Sequence, residues 1–188
     1  MTAPQTNLVR HSPPLIMGPH ITIYSATAPE GPVVIKEAVD DLGSLRLRRE
    51  ADFYREVGSR LDDVIQRALH IVRGRFGDIE HIVLEELGEK DGWVTLNYYS
   101  RLSREEAETL YFLLVKFHAE SGGIHGRFGA DSVFYRPSAT PGQPGSFRLF
   151  DFGFVREHRN GGDCPGMFPD EPDYYRKYDG PLDLTRRV

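Results

Sequence analysis

The run GPVVIKEAV, Gly31 to Val39, sets a lysine near the end of a stretch of β-branched residues, and HITIYSAT, His20 to Thr27, precedes it with the same character. Val, Ile and Thr favour strands, and the Ala-Pro-Glu between the runs, with the Gly-Pro that follows it, reads as a turn, so a hairpin is expected. A lysine carried into a buried strand is costly unless an acid meets it. The next segment, LRLRREADFYREVGSRL (Leu45 to Leu61), offers one: Leu47, Glu50, Tyr54 and Val57 share a helical face, and Gly58 supplies a stop. Glu50 is thus the expected partner of Lys36. Glu56 is the competitor, but it falls beside Asp52 and Arg60 on the polar face.

Two more strand-like runs follow, VIQRALHIV (Val64 to Val72) and HIVLEEL (His81 to Leu87), around the glycine-bearing turn RGRFGDIE. From Ser103 the texture changes. Ser103 and Glu106 have capping-box spacing, and Leu110, Leu114 and Phe117 form one stripe with Leu113 beside it, giving a helix that ends near Ser121-Gly122-Gly123. Short strand-like pieces, SVFYR and FRLFDFG, then flank the flexible PSATPGQPGS loop.

Composition bounds the rest. With 188 residues, 39% hydrophobic and 27% charged, the chain has the makeup of a globular protein. A net charge of -5 gives no overall attraction to nucleic acid or anionic membrane. The single cysteine, Cys164, cannot close an internal disulfide, and neither an apolar leader nor a membrane-length apolar run is present. A cytoplasmic or nuclear location is expected, with no nucleic-acid or membrane partner.

This order of elements, with Lys36 ending Val-Ile-Lys, an inward Glu50, a long helix, a His-Gly loop and Asp151-Phe152-Gly153, resembles the protein kinase fold over residues 15 to 156. The resemblance implies an α+β, two-lobed kinase-like fold with a small β-rich N-lobe and a truncated helical C-lobe. Its expected divisions are an N-terminal extension (1–14), an N-lobe (15–90), a C-lobe (91–156) and an irregular tail (157–188). It also implies functional positions. Lys36, paired to Glu50, would reach nucleotide phosphates, Gly18 is the only retained glycine of the phosphate loop, Leu84 takes the gatekeeper position, and Glu85 to Leu87 line the adenine. Asp151 would be the remaining, weak Mg²⁺ ligand.

The catalytic loop departs from the pattern. In IHGRFGADSVF, Ile124 to Phe134, His125 matches the family's histidine, but Arg127 stands at the aspartate position and Ser132 at the asparagine position. A guanidinium stays protonated and accepts nothing, so Arg127 cannot be the base. Asp131 is the nearest substitute carboxylate, four positions from the expected one. His118 and His125 are expected to be structural.

After Gly153 there is no Ala-Pro-Glu and no room for the helices that complete a kinase C-lobe, so apolar surface on the Ser103 helix is expected to meet a protein partner, a second copy, or the aromatic-bearing tail. The expected function is that of a catalytically impaired pseudokinase, a binding or regulatory module with weak, Mg²⁺-independent binding of ATP or another nucleotide. One alternative is altered chemistry on the same fold, such as small-molecule phosphotransfer. Another is an occluded cleft in which Arg127 pairs with Asp151.

Overall fold

The computed structural model describes residues 8–74, 79–96, 102–125, 128 and 130–157. They form an α+β structure of antiparallel sheets with two long helices, dividing into two units: residues 1–55 with 67–86, and residues 56–66 with 87–188.

The first unit contains β1 (Val9–Arg10), β2 (Ile16–Met17), β3 (Ile21–Ala28), β4 (Gly31–Ala38), most of α1 (Asp41–Val57), β5 (Ala68–Arg73) and β6 (Ile79–Glu85). The sheet order is β1-β3-β4-β6-β5, with β2 also pairing with β3. The expected hairpin is β3 and β4, in a register that sets Ile23 opposite Lys36 and Ser25 opposite Val34. Residues opposite one another in an antiparallel pair project to the same face. One face therefore collects Ala26, Ala28, Val33, Ile35 and Val83 into a buried cluster, with Leu8, Tyr24 and Leu69 packed against it. The other face carries Lys36.

α1 starts at Asp41, four residues ahead of the expected Leu45, because the Asp40 carboxylate accepts the Gly43 amide at 2.7 Å and caps the first turn. His20 Nδ1 lies 2.7 Å from the same carboxylate. Gly43 is required there. A Cβ at that position would lie 1.9 Å from the His20 carbonyl oxygen.

The second unit contains β7 (Val94–Thr95), α2 (Arg104–Ser121), β8 (Gly123–Ile124), β9 (Val133–Arg136), β10 (Ser146–Leu149) and β11 (Arg156–Glu157). β10, β9 and β7 make one small sheet, and β11 pairs with β8. The Ser103–Glu106 capping box forms in both directions, and Gly122 closes the helix in the left-handed region, as the sequence predicts. Leu110, Leu114 and Phe117 are buried, whereas Phe112 is 63% exposed. No helix among the described residues is long and apolar enough to cross a membrane.

The run expected as one strand from Val64 to Val72 is divided. Val64 and Gln66 exchange backbone hydrogen bonds with Leu149 in the second unit, and β5 begins only at Ala68. The N-terminal residues expected as an extension contribute β1, paired with Thr27 and Ala26 of β3. The tail from residue 158 on, with Cys164, and the turn at 75–78 lie outside the described residues.

Candidate functional site

In the first unit, Lys36 and Glu50 meet. Lys36 Nζ donates to both Glu50 carboxylate oxygens at 2.9 Å, and the two residues are 5% and 2% exposed. β4 supplies the lysine, and the 3.6-residue period of α1 turns Glu50 inward with Leu47, Ala51, Tyr54 and Val57, all buried. Glu56 is exposed and takes no part. A doubly hydrogen-bonded buried pair is electrically neutral as a unit, but either member left alone would be an uncompensated charge.

The sheet face that carries Lys36 is buried toward β6, at Ile82 and Leu84, and more exposed toward β1 and β2. Ile23 and Val34 sit mid-strand and remain half-buried, while Val9 and Ile16 are 63% and 56% exposed. Gly18 lies at the β2–β3 turn, where its amide donates to the Ile21 carbonyl at 3.0 Å and is committed to closing the hairpin. Leu84 is buried in β6. The Glu85 carboxylate accepts from the Arg67 amide at 2.9 Å and from its Nε at 3.0 Å, and the Glu85 amide donates to the Arg67 carbonyl. Leu87 is half-buried.

In the second unit, Asp151 is the sole non-glycine among the described residues with a positive φ (φ 68°, ψ 62°). Asp tolerates this left-handed conformation better than most residues, and such strain persists only where surroundings impose it. Those surroundings are visible. His125, fully buried, donates from Nε2 to the Phe150 carbonyl at 2.8 Å, and the Phe150 amide donates to the Ser132 carbonyl at 3.0 Å. Phe152 stacks on Phe117 at 5.8 Å and packs on His125 at 5.2 Å. Ser132 is therefore beside the Phe150–Asp151 backbone, and His118 and His125 both belong to the buried interior. Asp131 is exposed on the short turn Ala130–Ser132. Arg127 and Gly126 lie outside the described residues.

As a metal centre the donor set is thin. Among the described residues no group of three His, Cys, Asp or Glu side chains could hold a cation, so Mg²⁺ would rest on Asp151, the Ser132 hydroxyl and ligand phosphates.

Sequence reading missed two polar clusters of the first unit. His11 places Nδ1 3.3 Å from Ser25 Oγ and Nε2 3.1 Å from Thr27 Oγ1. On the opposite face, Arg10 pairs with Glu37 and lies 4.4 Å over the Tyr24 ring, and Glu37 is the cross-strand neighbour of His81. Both clusters depend on β1 pairing with β3, for which the short segment around Val9 gives no periodic signal.

No family model matches the chain, and no curated protein matches it. Among solved structures, the crystal structure of Cex1p superposes with a TM-score of 0.55 at 15% identity, over 95% of this chain and 32% of that one. The chain thus spans about a third of that protein's length, and the likeness is one of fold. The fold is widely shared, with 739 solved chains matching, so it leaves function to be read from the site.

Proposed function

We propose that the protein is a two-lobed, kinase-like binding module that holds a nucleotide weakly and does not transfer its phosphoryl group. The observation that carries this reading is the Lys36–Glu50 pair, buried and formed at hydrogen-bond distance on both carboxylate oxygens. In kinases such a pair positions a lysine for the α and β phosphates. The loss of transfer follows from the sequence: Arg127 takes the place of the base and cannot accept a proton. Binding needs little Mg²⁺, because one carboxylate, Asp151, remains where two ligands are expected. The Gly18 amide, engaged within its turn, adds little to phosphate affinity, which keeps binding weak.

A regulatory role through a protein partner or a second copy accompanies this reading, with the exposed Phe112 on α2 as the anchor in the second unit. Calorimetric titration of ATP, ADP and GTP with and without chelator tests the nucleotide reading. Weak binding that survives chelator is expected, and tight binding that collapses with it would contradict the account.

The strained Asp151 favours a second reading, altered phosphotransfer chemistry on a small molecule, since backbone strain concentrates where chemistry is done. Turnover of ATP with any metabolite, abolished by Asp151→Asn or Asp131→Asn, would support it over the first.

A further inference from the structure

The sheet face away from Lys36 gathers charge at the edge of its buried cluster. Glu37 of β4 lies opposite Thr22 of β3 on one side and opposite His81 of β6 on the other, so the three side chains share the face of Tyr24, Ile35 and Val83. Arg10 reaches this face from β1. It donates from both terminal nitrogens to the two Glu37 carboxylate oxygens, one of them at 3.1 Å, and its guanidinium lies 4.4 Å over the Tyr24 ring. β1 itself is two residues long, opposite Thr27 and Ala26, with the His11 amide donating to the Ser25 carbonyl just beyond it. For so short a strand the Arg10–Glu37 pair is a main tether, together with Leu8 against the buried cluster.

His81 stands on the other side of that carboxylate. Its side chain is largely buried, and neither ring nitrogen has a hydrogen-bond partner among the described residues. A neutral imidazole tolerates such a place, but an imidazolium carries two donors and a charge and needs an acceptor. The groups facing it are few. Glu80 on its own strand lies 3.8 Å from Nδ1, Glu37 faces it from β4, β5 brings Val72 opposite it and Arg73 opposite Ile79, β3 brings Thr22 and the Tyr24 phenol, and β1 brings Arg10. Burial holds its pKa below the ordinary 6.5 and the Arg10 charge adds to the effect, while Glu80 and Glu37 oppose it. Of the two carboxylates, Glu80 is exposed and Glu37 is half-buried. The half-buried one gives a new cation the stronger attraction, and Arg10 already occupies it.

We propose that Arg10, Glu37 and His81 form an acid-sensitive latch: at neutral pH Glu37 holds Arg10 and with it β1, and protonation of His81 draws Glu37 to the imidazolium, repels Arg10 and releases β1 from β3. Release bares the backbone edge of β3 at Ala26 and Thr27 and separates His11 from Ser25 and Thr27. The coupling is reciprocal, so detaching β1 raises the proton affinity of His81 by the same factor by which protonation favours detachment. The latch does not depend on nucleotide binding.

The test is NMR of the unliganded chain from pH 7.5 to 5, a window in which Asp and Glu stay largely ionised. It follows the His81 ring, the cross-strand contacts of Val9 and Arg10 with Thr27 and Ala26, and the exchange protection of the residue 11 amide, corrected for the intrinsic rate at each pH. The expected result is a roughly tenfold fall in that protection, in step with the His81 titration and with loss of the cross-strand contacts. His81→Phe, shown to be folded by its melting curve, should keep full protection across the window. His11→Gln removes the imidazole that β1 places against Ser25 and Thr27, and should behave as the wild type does. Glu37→Gln leaves the His81 site filled and takes away the shared charge, so protection should already be low at pH 7.5 and change little below it. Protection that stays constant in the wild type, a fall that persists in His81→Phe, a fall that vanishes in His11→Gln, or a Glu37→Gln variant that matches the wild type would each overturn the latch.

Discussion

Lys36 and Glu50 are safe in the interior only together. Replacing Lys36 with Met leaves a carboxylate buried without its cation and is expected to cost about 3–5 kcal/mol, whereas Lys36→Met with Glu50→Leu together should recover most of that loss. Urea unfolding of the two single variants and the double variant measures the coupling, and additive losses would mean that the pair contributes nothing as a pair. His81 behaves differently. Its side chain is 12% exposed, its ring nitrogens have no hydrogen-bond partner among the described residues, and burial pulls its pKa below the ordinary 6.5 despite the nearby Glu80 and Glu37. The unfolded chain therefore takes up a proton first. Stability from this residue is complete above about pH 6.5, falls as pH drops below it, and levels off once the folded ring is protonated. Denaturation midpoints from pH 8 to 5 should show this slope in the wild type and a shallower one in His81→Phe.

At the scale of elements, two local devices set helix positions. Gly43 lets the start of α1 press against the His20 carbonyl, so Gly43→Ala should destabilise by about 1–3 kcal/mol through overpacking. Ser103 caps α2, and Ser103→Ala should cost about 1 kcal/mol. Glu106 completes that cap and also accepts the Tyr135 hydroxyl. Burial, aided by this carboxylate, pushes the Tyr135 pKa to about 12. Thermal melts of Gly43→Ala and Ser103→Ala check both magnitudes. These helices were legible in the sequence because their signals are local: a cap three residues from its partner, as in Ser103 and Glu106, and a stripe of period 3.6. Lys36 and Glu50 were legible for the same reason, a strand followed by a patterned helix. The division of Val64 to Val72 between two units was not, since an apolar run reveals that it is buried but not against what. The His11 and Arg10 clusters were equally hidden, being products of β1 pairing across a gap of more than a dozen residues.

For the molecule as a whole, the account joins a preserved ion pair to a missing base. The first is formed in the structure; the second lies in sequence alone, at Arg127. On the proposed reading, the pair would hold phosphates and the cationic Arg127 would leave none moved. Calorimetric titration of ATP in the presence of EDTA, on the wild type and on Lys36→Met, measures that claim most directly. The account predicts weak binding to the wild type that chelator leaves intact and that Lys36→Met abolishes. Binding that disappears with the metal, or that Lys36→Met leaves unchanged, would contradict it.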